Sequence, residues 1–399
     1  MSGEDFVWDA AVVGCGPAGA CAGRKLARRG FSVLILEEHR EVGRPVQCAG
    51  LVTRRVFEAV PAPECVQNSL TAGELVAPTG RSIEFGHGTE KAVVIDRSLF
   101  DRRAAELAID AGCRLELGAH VSAIRRSPGT GFVELLLAGG RRRHRARLAI
   151  GADGVQSAVG RAAGIRPPPE MLPGYEAELS GVLGPEDTVR IVVGREVAPG
   201  FFGWFIPSGG GKAILGLCCE PGPLSARTYF ERLLGNRALR PYIGSAQVMR
   251  YYCGSVPVSL APRSFSERLL LVGDAAGQVK PISGGGIYTG TRCALMAAEE
   301  AAGALARDEL SEEALAGYEK RWKRELGMEL RIGRRIRRAF VGVNDAQMDE
   351  LVRMLDRPEL LALVAARGDL DAPSKLAKLL FRKAPGLLKF AGAFIKSLF

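Results

Sequence analysis

Three glycines near the start of the chain have a spacing suited to holding a phosphate group. Gly14, Gly16 and Gly19 follow the apolar run at residues 10–13. Glycine allows the backbone to turn sharply and to approach a pyrophosphate, whose charge then meets the N–H groups at a helix start. Glu37 ends the next apolar run, where a carboxylate can accept a hydrogen bond from a ribose hydroxyl. The segment therefore predicts a strand, a tight turn, a helix and a second strand that bind a dinucleotide.

Two later segments also place glycines directly after an apolar run. The first is residues 151–154 (GADG), and the second begins with Gly273 and Asp274 and continues into residues 281–286 (PISGGG). The glycine run would present successive backbone N–H groups at a helix start, where negative charge is stabilised. Close packing of the backbone is the alternative explanation. We expect all three segments to contact one dinucleotide.

The three segments together resemble the flavoprotein family that includes p-hydroxybenzoate hydroxylase and the geranylgeranyl reductases. Two further segments strengthen this resemblance, residues 43–50 (GRPVQCAG) and residues 96–101 (DRSLFD). The second matches the D-R-x-x-F-D signature of the geranylgeranyl reductase branch, and the first fits the cysteine-bearing loop of that branch. The resemblance extends from the start of the chain to about residue 310.

The resemblance implies that the protein binds FAD. Arg44 and Arg97 are then expected to hold FAD rather than to contact substrate, and Asp274 is expected to accept a hydrogen bond from a ribityl hydroxyl. The residues that match FAD-binding positions of the family are Gly14, Gly16, Ala18, Gly19, Glu37, Glu38, Arg44, Cys48, Ala49, Gly50, Arg97, Asp274, Gly284, Gly285, Gly286 and Ile287.

Residues 199–207 (PGFFGWFIP) resemble the Y-x-W-x-F-P signature whose aromatic side chains line the lipid cavity of the geranylgeranyl reductases. Phe202 replaces the tyrosine and Ile206 replaces the phenylalanine, while Trp204 and Pro207 match. The resulting site would be apolar, which fits an isoprenoid chain and disfavours a small phenolic acid that needs polar partners. A plain strand with aromatic core residues is the alternative.

Cys48 is the candidate catalytic residue, because the corresponding loop of the family approaches the isoalloxazine. Reduction of an isolated C=C bond requires a hydride at one carbon and a proton at the other. A thiol, or a water that it holds, can supply that proton. Cysteine is also often a small buried apolar residue.

The resulting hypothesis is an FAD-dependent reductase that saturates isoprenoid C=C bonds, expected on archaeal-type glycerolipid precursors. Menaquinone or another isoprenoid is the alternative substrate. An aromatic or quinone-precursor monooxygenase of the same fold is the second hypothesis, and a non-catalytic flavoprotein held at a membrane as a redox partner is the third. Ferredoxin, a deazaflavin and reduced nicotinamide are all compatible electron donors.

The expected fold is α/β, with a Rossmann-like FAD-binding domain, an antiparallel β-sheet substrate domain and a helical C-terminal region. Alternating apolar runs between residues 188 and 260 predict antiparallel strands. We place the FAD-binding domain at residues 1–75, 95–168 and 263–308, and the substrate domain at residues 76–94 and 169–262. Residues 309–399 have a helical period and form the C-terminal region.

Composition narrows the class of protein. The 399 residues include nine cysteines without metal-ligand spacing and only four histidines, so no metal site is expected and a reducing compartment is indicated. The N-terminus carries acids and lacks the basic start of a signal peptide. No apolar stretch reaches the length of a membrane-spanning helix.

The formal net charge of +10 indicates an anionic partner. Residues 374–399 contain six basic residues and no acid, with apolar residues interleaved at helical spacing. This pattern predicts a helix on an anionic membrane surface and hence a cytoplasmic protein at the inner face of the cell membrane. A helix pair docked on the protein body is the alternative. Residues 331–338 (RIGRRIRR) are expected to be a solvated helix face, and nucleic-acid binding is not expected.

Overall fold

A computed structural model describes residues 6–86, 88–126, 129–140 and 142–391 of the chain. Its strands, in chain order, are β1 (Val7–Val13), β2 (Val33–Leu36), β3 (Leu51–Val52), β4 (Val66–Leu70), β5 (Ala72–Val76), β6 (Ser82–Gly86), β7 (Ala92–Ile95), β8 (Arg114–Glu116), β9 (Val121–Arg126), β10 (Val133–Leu137), β11 (Arg143–Gly151), β12 (Met171–Ser180), β13 (Thr188–Val192), β14 (Gly203–Gly209), β15 (Lys212–Cys218), β16 (Gln247–Pro257), β17 (Phe265–Ser266) and β18 (Leu269–Leu271).

The α-helices are α1 (Pro17–Ala27), α2 (Val56–Ala59), α3 (Arg97–Asp110), α4 (Ala158–Ala162), α5 (Ala226–Leu234), α6 (Arg240–Ile243), α7 (Ile287–Arg307), α8 (Glu312–Glu325), α9 (Gly327–Val341), α10 (Asp345–Leu355), α11 (Pro358–Arg367) and α12 (Pro373–Lys383). Short 3₁₀ helices lie at Pro63–Cys65, Gly154–Gln156, Gly273–Ala276 and Pro385–Ala391.

The first sheet has a parallel centre in the order β18-β11-β1-β2-β8, with β17, β10 and β9 added antiparallel. Alternate residues of β1 face different cores: Ala10 and Val12 pack with residues of α1, α3 and α7, whereas Ala11 and Val13 pack with residues of β9, β10 and α4. Coverage of both faces explains why these strands are continuous apolar runs. The carboxyl ends of β1, β11 and β18 meet at one edge, where a doubly wound sheet binds its ligand.

The second sheet has seven strands in the order β16-β12-β15-β14-β13-β5-β6, antiparallel except for the β13–β5 pair. One face, including Phe205 and Leu217, packs on α5 and α6. The other face, including Trp204 and Cys218, covers the carboxyl edge of the first sheet. The α/β fold with an antiparallel second domain is thereby confirmed.

Sequence reasoning identified β13 to β16 but missed β12, α5 and α6. The predicted boundary between the two domains, between residues 75 and 76, falls within β5. This strand belongs to the second sheet through its pairing with β13, where Ala72 is opposite Thr188. Such a distant partner leaves no local pattern in the sequence.

The C-terminal region is helical, as expected. Helix α8 joins the core of the first domain, where the Tyr318 hydroxyl donates to the Leu271 carbonyl at 2.8 Å and the Trp322 indole donates to the Ser264 hydroxyl at 2.9 Å. Within residues 6–391, leaving aside the undescribed positions among them, no helix is both long and apolar enough to cross a bilayer.

The basic tail predicted at residues 374–399 begins with α12. Its apolar residues Ala377, Leu380 and Phe381 pack against residues of α9, α10 and the 3₁₀ helix at Pro385–Ala391. Its basic residues Lys375 and Lys378 are exposed. The described part of the tail is therefore docked through its apolar face, and residues 392–399 lie outside the described residues.

Candidate active site

The first glycine turn, residues 14–19, lies between β1 and α1. A Cβ at Gly14 would overlap the Ala152 carbonyl oxygen, and a Cβ at Gly19 would overlap the Gly14 carbonyl oxygen. These two glycines therefore allow strand and helix to pack closely. Gly16 differs, because a Cβ there would meet nothing within 4 Å and would enter open space at the start of α1.

Glu37 lies directly behind this turn and is 8% exposed. One carboxylate oxygen accepts the Cys15 N–H at 2.8 Å, and the other accepts the His39 N–H at 2.9 Å. The carboxylate thus fixes the backbone beside the expected phosphate site. We retain its contact with a ribose hydroxyl as a prediction.

The segment DRSLFD positions Arg97. Asp96 caps α3 by accepting the Leu99 N–H at 3.0 Å, and Phe100 is fully buried in the core. Asp101 accepts two hydrogen bonds from the Arg97 guanidinium, at 3.1 and 2.9 Å. Burial alone would lower the pKa of Arg97, but Asp101 and the Cys48 sulfur raise it overall. The signature therefore keeps a charged, partly buried guanidinium in the cavity wall.

Cys48 lies opposite Arg97 in the loop between β2 and β3. Its sulfur accepts the Gly50 N–H at 3.5 Å and lies near enough to the Arg97 guanidinium to raise the pKa of Arg97. Gly50 has φ +70°, and a Cβ there would overlap the Ile95 carbonyl oxygen. The glycine is thus required where this loop passes β7, and it places Cys48 and Ala49 on the cavity wall.

The third glycine segment brings Asp274 and a second helix start to the same cavity. Burial raises the pKa of Asp274, although Arg97 acts in the opposite direction. A Cβ at Gly286 would lie 3.1 Å from an Asp274 carboxylate oxygen, so glycine leaves room for that side chain. Gly286 is also the N-cap of α7 and provides no side-chain acceptor for the first N–H groups. Their partial positive charge remains available to a ligand.

The opposite wall of the cavity, which we call the roof, consists of the loop before β14 and the cavity-facing residues of β12, β14, β15 and β16. Phe202 stacks on Phe201 with ring centroids 4.2 Å apart, and Trp204 meets the edge of Phe202 at 6.1 Å. Ile206 continues this apolar surface. The roof is therefore the aromatic wall expected from residues 199–207.

The turn, Arg97, the α7 start and the roof enclose one cavity of about 500 Å³. These features fit FAD. Gly16 leaves a space that any side chain would fill, two uncapped helix starts suit a pyrophosphate and a reduced isoalloxazine, and Arg97 adds a cation. The predicted residues that this cavity brings together are Gly16, Ala18, Cys48, Ala49, Arg97, Phe202, Trp204, Ile206, Asp274, Gly284, Gly285, Gly286 and Ile287.

Other predicted residues lie away from this wall in the described structure. Glu38 is exposed and contacts the His120 ring nitrogen at 2.7 Å. Arg44 is also exposed and donates to Glu41 at 3.2 Å, beside a separate groove of about 430 Å³ that shares Pro45, Val46 and Tyr252 with the cavity. Pro207 is buried beyond Ile206. Gly14, Gly19, Glu37 and Gly50 support the wall from behind.

Sequence reasoning missed two polar groups of the wall. Glu176 lies on β12, a strand that sequence reasoning did not identify, and a single glutamate beside apolar Ala177 carries no signal of a buried site. Lys280 donates to the Leu370 carbonyl at 2.8 Å and pairs with Asp371 at 2.7 Å. The segment between α11 and α12 therefore closes one end of the cavity, which only the tertiary structure reveals.

Comparisons with known proteins show the family to which the chain belongs. Residues 8–199 match the family described as FAD binding domain. Digeranylgeranylglycerophospholipid reductase 2 of Methanopyrus kandleri is 34% identical over 98% of this chain and all of its own length. Digeranylgeranylglycerophospholipid reductase of Methanocaldococcus jannaschii is 31% identical over 96% of this chain and 97% of its own.

A solved structure has the same fold. A geranylgeranyl bacteriochlorophyll reductase-like protein from Thermoplasma acidophilum superposes with a TM-score of 0.85 and 24% identity, over 96% of this chain and 98% of that one. Fold, cavity and family match define an FAD-dependent oxidoreductase, and FAD is its cofactor. The chain belongs to the digeranylgeranylglycerophospholipid reductase family, because it is 34% identical to the Methanopyrus protein over almost the whole length of both chains.

Proposed function

We propose that the protein saturates C=C bonds in the isoprenoid chains of archaeal-type glycerophospholipid precursors. The observation that carries this proposal is the apolar roof of Phe202, Trp204 and Ile206, which faces the glycine turn across one cavity. An isoprenoid chain exposes only apolar surface and alkene bonds, so an apolar wall matches it. Two relatives named digeranylgeranylglycerophospholipid reductase support the lipid class. Menaquinone or another isoprenoid is the alternative substrate.

Each part of the cavity has its own role in the proposed reaction. When bound, reduced FAD supplies a hydride to one alkene carbon. The N–H groups at the start of α1 hold the pyrophosphate, while those at the start of α7 stabilise negative charge on the ring system. The roof aligns the chain and excludes water. Cys48, or a water that it holds, delivers the proton to the second carbon.

Oxygen dependence tests this proposal directly. The protein is incubated with a geranylgeranyl glycerolipid and a chemical reductant, in sealed and in aerated vials, and the lipid is analysed by mass spectrometry. Saturation should add two hydrogen atoms per double bond and proceed in the sealed vial. Addition of an oxygen atom, only in air, would instead identify a monooxygenase of the same fold.

The electron donor and the place of action are parts of the same proposal. A donor of the ferredoxin, deazaflavin or nicotinamide type reduces FAD, and the enzyme works at the inner face of the cell membrane, where its lipid resides. Since the apolar face of α12 is docked, attraction to the membrane rests on exposed basic residues such as Lys375, Lys378 and Arg382. Each could contribute about 1 kcal/mol near an anionic surface.

A further inference from the structure

Glu176 is a buried carboxyl group in the roof to which the proposed reaction has assigned no role. It is 7% exposed and lines the cavity. Its neighbours across the sheet are Gly216 on β15 and Tyr252 on β16. A Cβ at Gly216 would lie 2.5 Å from the Glu176 Cβ and 2.7 Å from the Trp204 ring, so glycine allows these two side chains to lie together. The fold thus reserves space for a carboxyl group beside the aromatic roof.

The polar partners of this carboxyl group are few. No described residue forms a salt bridge with Glu176. The buried indole N–H of Trp204 makes no well-formed hydrogen bond, but it is close enough to the carboxylate to stabilise it. The pKa of Glu176 is raised to about 7, mainly by burial and also by the charge of Glu178 on the same strand, with Arg97 and Trp204 acting in the opposite direction. A carboxyl group in such a place can hold a proton near neutral pH and release it.

The other titratable groups around Glu176 are a thiol, a phenol and a guanidinium. Cys218 on β15 is buried, and burial together with the Glu176 charge raises the pKa of its thiol. Tyr252 on β16 also has a raised pKa, mainly through burial. Arg97 lies between Glu176 and Cys48 electrostatically, because its charge lowers the pKa of the Glu176 carboxyl and the Cys48 sulfur raises the pKa of Arg97. One guanidinium therefore serves both groups.

We propose that Glu176 is the proton source of the cavity, and that its carboxyl group supplies the proton that Cys48, or a water held by Cys48, delivers to the alkene. This inference rests on the proposed function and deepens it. It gives a role in the reaction to Glu176, a residue that lies outside all the recognised motifs. Arg97 and Trp204 stabilise the carboxylate that remains after each transfer.

The step balances without a further reactant. The S–H bond of Cys48, or an O–H bond of the water that it holds, breaks as a C–H bond forms at one alkene carbon, and the O–H bond of Glu176 breaks as that S–H or O–H bond re-forms. The hydride that reduced FAD would supply forms the C–H bond at the other carbon. The lipid gains no charge, and its C=C bond becomes a single bond. The Glu176 carboxylate regains a proton from solvent before the next double bond is reduced.

The test compares Glu176→Gln with a matched control, Glu178→Gln, which removes the same charge two residues along the strand at an exposed position. Each protein, carrying chemically reduced FAD, is mixed anaerobically with a geranylgeranyl glycerolipid, and FAD oxidation is followed by absorbance. Below neutral pH we expect Glu176→Gln to be slower by about a hundredfold. The parent rate should fall as pH rises through about 7, since the protonated carboxyl is the active form. Glu176→Gln should abolish this dependence. Glu178→Gln should retain it with a midpoint at slightly lower pH, because the Glu178 charge raises the pKa of Glu176.

Two readouts without turnover check the titration and the fold. In the parent, the infrared band of a protonated carboxyl should disappear with a midpoint near pH 7, and Glu176→Gln should lack this transition. Because the folded protein retains a proton that the unfolded chain releases, stability should fall from pH 4.5 to about 7. Above that pH, Glu176→Gln should retain FAD and melt no lower than the parent.

Cys48→Ala and the double variant test the shared route. If both side chains act on one proton, the double variant should be no slower than the slower single variant. Additive losses in the double variant would overturn the shared route. If the parent reduces the lipid and Glu176→Gln does so at the same rate, the role of Glu176 would be overturned and the proposed function would stand. A parent protein that never oxidises its FAD with the lipid would overturn the proposed function and this inference together.

Discussion

Gly16 and Trp204 face the same cavity from two walls that are built in different ways. The wall around Gly16 consists largely of backbone from one local turn, in which the absence of side chains is the functional feature. The wall around Trp204 consists of side chains from four strands that meet only in the folded sheet. A wall of backbone N–H groups suits a phosphate, which every dinucleotide cofactor carries. A wall of side chains can instead be adapted to one substrate.

The largest expected effect comes from filling the backbone wall. Gly16→Val places a branched side chain in the open space at the start of α1, where the pyrophosphate would approach. Its φ of −70° is open to any residue, so the fold should persist. Loss of two charge-assisted hydrogen bonds should weaken FAD binding by about a hundredfold or more, as measured by flavin fluorescence after dialysis.

The control for this variant is Gly222→Val, an exposed glycine in the second domain. It should leave FAD content and melting temperature unchanged. Full FAD content in a folded Gly16→Val protein would remove this turn from the cofactor site and with it the contrast between the two walls.

The next effect tests the side-chain wall. Trp204→Ala should leave FAD bound but lower kcat/KM for a geranylgeranyl lipid roughly tenfold or more, since burial of a large apolar side chain contributes about 1.5 to 3 kcal/mol. Trp204→Phe keeps an apolar ring and removes the N–H beside Glu176, so it separates packing from polarity. Parent-like kinetics of Trp204→Ala would place the substrate elsewhere.

The two walls also differ in how far the sequence predicts them. Gly14, Gly16 and Gly19 lie within six residues, and Asp96, Arg97 and Asp101 within another six, so each set acts inside one turn and can be recognised as a motif. Such motifs predicted many residues that line the cavity on the side of the glycine turn, and their contact with FAD stays a prediction. Their limit is visible at Arg44, which belongs to a matching segment but pairs with Glu41 at the surface.

The remaining residues of the site depend on contacts between distant segments. Glu176 becomes a buried cavity residue only because β12 lies between β15 and β16. Lys280 is held by Asp371, ninety-one residues away. The tail pattern was equally ambiguous, because an apolar helix face predicts burial but does not say against what. In the structure α12 uses that face against α9 and α10.

The smallest expected effect concerns delivery of lipid to the roof from a membrane surface. Lys378→Ala removes one exposed charge from α12 while leaving its docked face intact. Affinity for anionic vesicles in a sedimentation assay at low salt should fall about fivefold, equivalent to about 1 kcal/mol. Lys320→Ala, at an exposed position on α8, is the matched control. Equal binding by parent and Lys378→Ala would remove α12 from the membrane contact.

A single-turnover measurement tests the central claim most directly. Protein with fully reduced FAD is mixed, without oxygen, with one equivalent of a geranylgeranyl glycerolipid, and FAD absorbance and lipid mass are recorded together. The account predicts that FAD becomes oxidised as the lipid gains two hydrogen atoms, one double bond for each FAD. FAD that stays reduced beside an unchanged lipid would contradict it.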